Sequence, residues 1–189
     1  MKVSNIEDVV LRYYQEARNV EYVRSVRAPT EEKAGRVAES LRGTFPQVLG
    51  PRVTDYSKCV EIEAYVDELA PRSADGGDAL LRYIASMGRP HISLWAYLSW
   101  VGPYAFVSLV RQEAPDGILV FKDATASSEG VRLEETARRE VTAQGFNILH
   151  RSDLAIPVKI DAKVVQEHDG IHVEEPVTLG KCLFYPWWA

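Results

Sequence analysis

Apolar and polar residues alternate along the middle of the chain with the period of two that is typical of β-strands. The first such segment places Val60, Ile62, Ala64 and Val66 on one face, and Glu61, Glu63, Tyr65 and Asp67 on the other. A second, longer segment runs from Ile92 to Val110 and is interrupted by Gly102-Pro103. The pattern predicts a strand over 60–67 and an aromatic β-hairpin over 92–110.

The predicted hairpin has two faces of different character. With Gly102-Pro103 at its tip, Leu98 meets Val107 on an aliphatic face, while Tyr97 meets Ser108 on a face of mixed serine and aromatic residues. The 21 positions between Arg89 and Arg111 carry no formal charge, and about 20 apolar residues suffice to cross a bilayer. Because Gly102-Pro103 breaks the segment and its first half alternates, we expect a hairpin and no membrane span.

Helical spacing of apolar residues predicts about four helices. The first follows a capping box formed by Ser4 and Glu7 and stops near Asn19. The second begins at Pro29-Thr30 and ends at Gly43, and the other two cover 79–87 and 129–145. In the last of them Leu133, Ala137 and Val141 lie on one stripe. The segment Val20–Arg27 mixes valine and tyrosine with charged residues and reads as a strand, although a continuing helix is an alternative.

The remaining segments are short and predict strands or loops. They are a loop over 45–52, a strand over 118–121, a hairpin over 160–174 around Asp169-Gly170, and a buried strand over 177–185. No repeat or long linker divides the chain. We therefore expect one α+β domain over 1–189, with a mainly antiparallel sheet, a central aromatic hairpin and about four helices packed on it.

The composition of the chain indicates which classes of partner it binds and in which cellular compartment it lies. The 189 residues carry a net charge of −5, which disfavours nucleic acid and suits a basic partner or none. Cys59 and Cys182 lie far apart in apolar stretches, as structural thiols do. Acidic residues occupy the N-terminal positions where a signal peptide has its apolar run. These features predict a cytoplasmic protein that does not bind membranes.

Candidate catalytic residues are few. The chain has no Gly-x-Ser-x-Gly elbow and no glycine-rich nucleotide loop. Glu61 and Glu63 share a strand face at a spacing that would suit an acid/base pair, but a solvated acidic face explains the pattern more simply. His168 and His172 flank Asp169-Gly170, on opposite faces of the predicted hairpin, which is poor geometry for one metal ion. We expect no catalytic residue, metal or cofactor.

A partner-binding surface is the stronger prediction. Trp95 and Tyr97 lie on the mixed face of the hairpin, and tyrosine and tryptophan dominate the hot spots of protein interfaces. The polar face of the preceding strand adds a second group of candidates. The predicted partner-binding residues are Glu61, Glu63, Tyr65, Asp67, Trp95 and Tyr97.

The last third of the chain resembles a known class of proteins. It runs from Leu133 through Gly145-Phe146-Asn147-Ile148-Leu149 to Leu154 and Pro157-Val158, and ends in Leu183-Phe184-Tyr185-Pro186-Trp187-Trp188. This stretch is similar to the C-terminal part of small cytoplasmic immunity proteins of bacterial polymorphic toxin systems. The resemblance implies a non-enzymatic protein that binds and neutralises a cognate, basic toxin domain. A small enzyme with an unrecognised carboxylate/histidine site and a self-associating structural domain remain alternatives.

Overall fold

The fold is α+β, as the sequence predicts. A computed structural model describes residues 3–66, 77–124 and 128–185. The elements in chain order are α1 (Val3–Glu16), α2 (Val20–Arg42), β1 (Gln47–Arg52), β2 (Cys59–Tyr65), α3 (Gly77–Met87), β3 (His91–Ser99), β4 (Tyr104–Glu113), β5 (Val120–Asp123), α4 (Ser128–Ala143), β6 (Asn147–Leu149), α5 (Arg151–Leu154), α6 (Ala162–Asp169) and α7 (Leu179–Leu183).

The strands form a six-stranded, mainly antiparallel sheet. Five of the strands follow the order β1-β2-β3-β4-β5, in which each pairs with its neighbour in sequence, and β6 pairs with β4. The long β4 pairs with β5 through its C-terminal half and with β6 through its N-terminal half, where Tyr104 to Phe106 face Asn147 to Leu149 in parallel. The predicted hairpin therefore forms the centre of the sheet.

The aliphatic face of the sheet is the main core, as its alternating pattern predicts. The rows across β2, β3 and β4 on this face contain only buried apolar residues: Val60, Leu98, Ala105, Ile62, Ala96, Val107, Ala64, Leu94 and Leu109. Helices α2 and α4 pack on these strands. In α4 the predicted stripe of Leu133, Ala137 and Val141 is buried, because residues four apart share one face of a helix.

The opposite face of the sheet is also covered, at least in part. At one end His91 stacks on Tyr65 and contacts the ring of Tyr83 from α3 edge-on. Nearer the middle, the rings of Phe184 and Tyr185 both pack against Tyr97. The second sheet face is therefore an additional packing layer over much of its area.

The register of the hairpin differs from the prediction by two residues. Tyr97 pairs with Phe106 and Leu98 with Ala105, because the loop is centred one residue earlier than Gly102-Pro103 and spans 100–103. A Cβ on Gly102 would lie 2.7 Å from Val9 Cγ1, so only glycine allows α1 to approach the tip this closely. The two predicted faces survive because a shift of two preserves side-chain parity.

Helix α2 corrects the predicted strand over Val20–Arg27 and the predicted helix start at Thr30. The helix begins 10 residues earlier, after Asn19, whose Oδ1 accepts hydrogen bonds from the N–H groups of Glu21 and Tyr22. Pro29 lies inside the helix, and Thr30 donates to the Val26 carbonyl instead of capping an end. Asn19 therefore caps the N-terminus of α2 and lies in the short connection that follows α1.

Two further predictions in the C-terminal part are wrong. The segment predicted as a hairpin around Asp169-Gly170 contains α6, and Gly170 ends this helix with a left-handed φ of 72°. The segment predicted as a buried strand over 177–185 contains the short helix α7, which is buried as expected. Asp-Gly fits both a hairpin turn and a helix end, so the pattern alone did not separate them.

Glycine and proline predict a loop over 45–52, but Gln47–Arg52 forms strand β1. Gly50 has a φ of 100°, and a Cβ there would lie 2.5 Å from the Glu61 carbonyl oxygen. This glycine lies at a register shift between Leu49 and Arg52, where the strand is irregular. Strand β5 begins two residues later than predicted.

Residues 90–110, which are free of charge, form β3, the hairpin loop and most of β4 rather than a helix. In the part of the chain that the structure describes, no helix combines the length and apolar character needed to span a bilayer.

Candidate partner-binding site

The predicted acidic face is not solvated. Glu61 and Glu63 are only 2% and 1% exposed, although they do point to the face opposite the aliphatic core. Every residue of β2 is buried, since β1 and β3 flank it in the sheet and α2 packs on it. The expectation of a solvated acidic strand face at these two residues is therefore wrong.

The buried carboxylates lie in a polar network that we call the Arg52 cluster, made up of Arg52, Thr54, Glu61, Glu63 and Tyr65. Arg52 Nε donates to Glu61 Oε2 at 3.1 Å, and its Nη2 lies 3.4 Å from Glu63 Oε2. The Thr54 hydroxyl donates to Glu61 Oε1 at 2.9 Å, and the Tyr65 hydroxyl donates to Glu63 Oε1 at 2.6 Å. Both carboxylates thus have a shared guanidinium and a hydroxyl donor of their own, which offsets their removal from water.

Trp95 and Tyr97 belong to a stack of side chains that crosses the second sheet face. We call this stack the aromatic ladder. It consists of Arg52, Trp95, Tyr97, Phe106 and Arg151. The pairing of the strands creates it, because Arg52, Glu61, Tyr97 and Phe106 lie directly opposite one another on β1, β2, β3 and β4.

The geometry of the ladder is that of stacked rings between two cations. The Trp95 and Tyr97 centroids are 5.9 Å apart, those of Tyr97 and Phe106 are 6.4 Å apart, and the interplanar angles are 25° and 19°. The Arg52 guanidinium lies 5.6 Å from the Trp95 centroid, and that of Arg151 lies 5.8 Å from the Phe106 centroid. Both distances are within the range of a cation–π interaction.

The ladder remains partly open to solvent. Trp95 and Tyr97 are half-buried, Phe106 is buried, the Arg52 side chain is 30% exposed, and Arg151 is exposed. Burial, and to a lesser degree the nearby Glu61 carboxylate, raise the pKa of the Tyr97 hydroxyl well above its usual value. The accessible aromatic surface of the ladder is therefore that of Trp95 and Tyr97, which is uncharged at neutral pH.

The C-terminal segment of the described chain adjoins the ladder. The Tyr185 ring packs edge-on against Tyr97 at 6.1 Å, and its hydroxyl lies 2.6 Å from the Thr54 hydroxyl. Tyr185 thus connects the ladder to the Arg52 cluster. The predicted site residue Asp67 and the terminal pair Trp187-Trp188 lie outside the described residues.

A second buried ionic group was missed by the sequence analysis. In the Lys58 cluster, which consists of Lys58, His168 and Asp169, the Lys58 ammonium contacts Asp169 Oδ2 at 2.5 Å. His168 Nδ1 lies 2.8 Å from the other oxygen of the same carboxylate. The side chains of Lys58 and Asp169 are both 2% exposed. No sequence pattern indicates this pair, because its members are separated by 111 positions.

The other candidate groups do not assemble into a metal site. His168 lies in α6 against Asp169 and the rings of Tyr13 and Tyr14, whereas His172 is exposed beyond the end of that helix. Within residues 3–66, 77–124 and 128–185, no three histidine, cysteine or acidic side chains are grouped to hold a metal ion. Both thiols are buried, and burial raises the pKa of Cys182 to about 12.

The site therefore combines two of the predicted features in an unexpected way. Trp95 and Tyr97 are half-buried and partly accessible, and the buried carboxylates of Glu61 and Glu63 accept from Arg52, whose guanidinium lies over the Trp95 ring. Sequence reasoning missed Arg52 and Arg151. Comparison with family models, curated proteins and solved structures gave no match for this chain.

Proposed function

We propose that this protein is a non-enzymatic protein-binding module, namely an immunity protein that binds and neutralises a cognate bacterial toxin domain. The observation that carries the binding part is the aromatic ladder. It concentrates Trp95, Tyr97 and Arg52, the three residue types most enriched in interface hot spots, on one partly open sheet face.

Rigidity of the ladder favours this use. Trp95 is held from several sides, since its ring packs between Arg52 and Tyr97 and its Nε1 donates to Ser93 Oγ at 2.8 Å. A side chain that is fixed before binding loses little conformational entropy when a partner docks on it. Aromatic surface prepared in this way suits tight and selective recognition.

The toxin part of the proposal has a different support. It rests on the resemblance of the C-terminal third to immunity proteins and on the net charge of −5, which favours association with a basic domain. The enzyme alternative relies on the Glu61/Glu63 pair and on His168/His172. The two glutamates are buried, and their carboxylates accept hydrogen bonds from Arg52, Thr54 and Tyr65. A carboxylate pair in that state is not placed to act on a substrate.

The test is a protection and binding experiment with the product of the neighbouring gene. This product is expressed alone and with the full chain, and growth of the host is compared. We expect the neighbour to stop growth, the chain to restore it, and Trp95→Ala to weaken the complex at least ~30-fold, which corresponds to the ~2 kcal/mol of a hot spot.

The matched control is Ile118→Ala, which truncates a large apolar side chain that is 66% exposed outside the ladder. We expect less than a threefold change for this variant. A neighbour that is harmless, or that the chain does not neutralise, would refute the immunity function. Neutralisation with unchanged affinity of the Trp95→Ala variant would instead show that the ladder is not the interface.

A further inference from the structure

Asp-Gly pairs occur at three places in the chain, 75–76, 116–117 and 169–170. In such a pair the aspartyl side chain is open to attack by the next backbone nitrogen, because glycine has no Cβ to hinder the approach. The first pair lies outside the described residues. The structure places the other two in opposite surroundings, and this difference decides which of them reacts.

The pair Asp169-Gly170 is held at both of the groups that would have to move. The Asp169 side chain is 2% exposed, and its two oxygens contact the Lys58 ammonium at 2.5 Å and His168 Nδ1 at 2.8 Å. The Gly170 N–H, which carries the attacking nitrogen, donates to the Gln166 carbonyl at 2.8 Å. Reaction at this pair therefore requires the buried ion pair and the hydrogen bond that ends α6 to open first.

The pair Asp116-Gly117 lies in the exposed turn Pro115–Gly117 between β4 and β5. Among the described residues the Asp116 carboxylate has no hydrogen bond or ion pair. Asp116 has a φ of 53°, in the left-handed region, which is costly for a residue with a Cβ. A Cβ on Gly117 would meet nothing within 4 Å, so the backbone has room to rotate. Neither the side chain nor the turn is held in place by its surroundings.

We propose that Asp116-Gly117 is a site of spontaneous isoaspartate formation. The Gly117 nitrogen attacks Cγ of the protonated Asp116 side chain and forms a C–N bond. The carboxyl hydroxyl and the amide proton leave together as one water molecule, which gives a five-membered succinimide ring. A second water molecule then hydrolyses one of the two ring carbonyls. Where the bond between the Asp116 carbonyl carbon and the Gly117 nitrogen breaks, the chain continues through Cβ and Cγ of Asp116.

This reaction needs only water and leaves the composition of the chain unchanged. Its product has one additional methylene group in the backbone between β4 and β5. Strand β5 is four residues long and lies at the edge of the described sheet, where it pairs with β4. The modification thus acts on the connection between these two strands and not on the core, and it does not depend on the proposed function.

The experiment follows the incorporation of ¹⁸O into the folded full chain at neutral pH. During incubation in H₂¹⁸O, each cycle of ring closure and hydrolysis adds one ¹⁸O atom to the aspartyl residue. The protein is then digested with trypsin in ordinary water, which releases the three pairs in separate peptides, 73–82, 112–122 and 164–181. Mass spectrometry with fragmentation measures the label and locates it.

We expect at least ~10-fold more label in 112–122 than in 164–181, because reaction at Asp169 waits for local opening of the fold. An isoaspartyl form of 112–122 should also elute separately from the aspartyl form. In concentrated urea, which exposes both pairs, we expect the two peptides to be labelled to within about threefold of each other, since the folded surroundings are lost.

The matched variant is Asp116→Glu, which keeps the negative charge but would require a six-membered ring that closes more slowly. We expect it to reduce the label in 112–122 to background and to leave 164–181 unchanged. The inference would be overturned by equal labelling of the two peptides in the folded native chain, or by label in 112–122 that persists in this variant. Labelling of 112–122 in the folded chain that falls more than ~10-fold below that in urea would also overturn it, because the turn would then be protected.

Discussion

The Lys58 cluster and the Arg52 cluster both place acidic and basic side chains in the interior, but they connect different parts of the fold. Lys58, just before β2, reaches Asp169 at the end of α6, so this pair ties the C-terminal helices to the sheet. Arg52, Glu61 and Glu63 lie on the neighbouring strands β1 and β2. The first cluster is a long-range tertiary contact, and the second is a contact between two adjacent strands.

The two clusters also differ in their access to water. Lys58 and Asp169 are both 2% exposed, whereas the Arg52 side chain is 30% exposed above its two buried carboxylates. A charge left alone in a dry interior is far more costly than one that water can approach. The comparison predicts that breaking the Lys58 cluster affects stability more than breaking the Arg52 cluster.

The largest expected effect is that of Lys58→Met. This change keeps much of the apolar stem and leaves Asp169 buried without its ammonium partner, so we expect a loss of about 3–5 kcal/mol in the free energy of unfolding. Urea denaturation followed by tryptophan fluorescence measures it.

The double variant Lys58→Met/Asp169→Leu is the control for charge. Since it removes both ions, we expect it to recover a large part of the loss. A double variant as unstable as Lys58→Met would show that shape, rather than the unpaired charge, is responsible.

The next effect in size is that of Arg52→Met. Glu61 and Glu63 keep their hydroxyl donors from Thr54 and Tyr65, and solvent has access to the vacated position, so we expect a loss of about 1–3 kcal/mol. The measurement is the same urea titration.

Lys122→Met is the matched control, because it breaks an ion pair with Glu113 in which the lysine side chain is 56% exposed. Such surface pairs contribute at most ~1 kcal/mol. If Arg52→Met had no larger effect than this control, the Arg52 cluster would be a surface ion pair in energetic terms. If it exceeded Lys58→Met, the proposed ranking of the clusters would be wrong.

The sequence predicted those parts of the fold in which one periodicity dominates. The alternation in β2 and the helical stripe of Leu133, Ala137 and Val141 each fit one element only, and both are confirmed. The two faces of the hairpin were predicted correctly, because a register shift of two residues leaves every side chain on the same face. The register itself was wrong, because the sequence does not fix which residues lie at the centre of the turn.

The errors arose where local patterns fit two structures equally. Asp169-Gly170 suits a hairpin turn as well as a helix end, and the charged, valine-containing start of α2 suits a strand as well as a helix. The alternating pattern of β2 does not predict that Glu61 and Glu63 are buried, because their partner Arg52 lies in β1. Gly50 and Pro51 make β1 look like a loop in the sequence. Long-range partners of this kind leave no local pattern.

The smallest expected effect is a change in the free energy of unfolding with pH, which arises from a thiol near the Lys58 cluster and not from the Arg52 cluster. Burial raises the pKa of Cys182, which lies near Lys58, from 9.0 to about 12. The folded state thus keeps this proton while the unfolded state loses it, so the stability contribution is complete below about pH 9 and declines as pH rises from there toward 12. Between pH 8 and pH 10 the decline amounts to about 1.4 kcal/mol for one such thiol.

Tyr97, beside the Arg52 cluster, has an ordinary value of 10.0 and therefore begins to contribute in the same direction only at a higher pH. Urea unfolding at pH 8 and pH 10 should show a smaller difference for Cys182→Ala than for the native chain. Leu179→Ala, which truncates a buried neighbour in α7 without removing a titratable group, should lower stability equally at both pH values. Equal pH dependence of the native and Cys182→Ala proteins would mean that this thiol already loses its proton in the folded state, as a thiol within reach of water beside the Lys58 ammonium would.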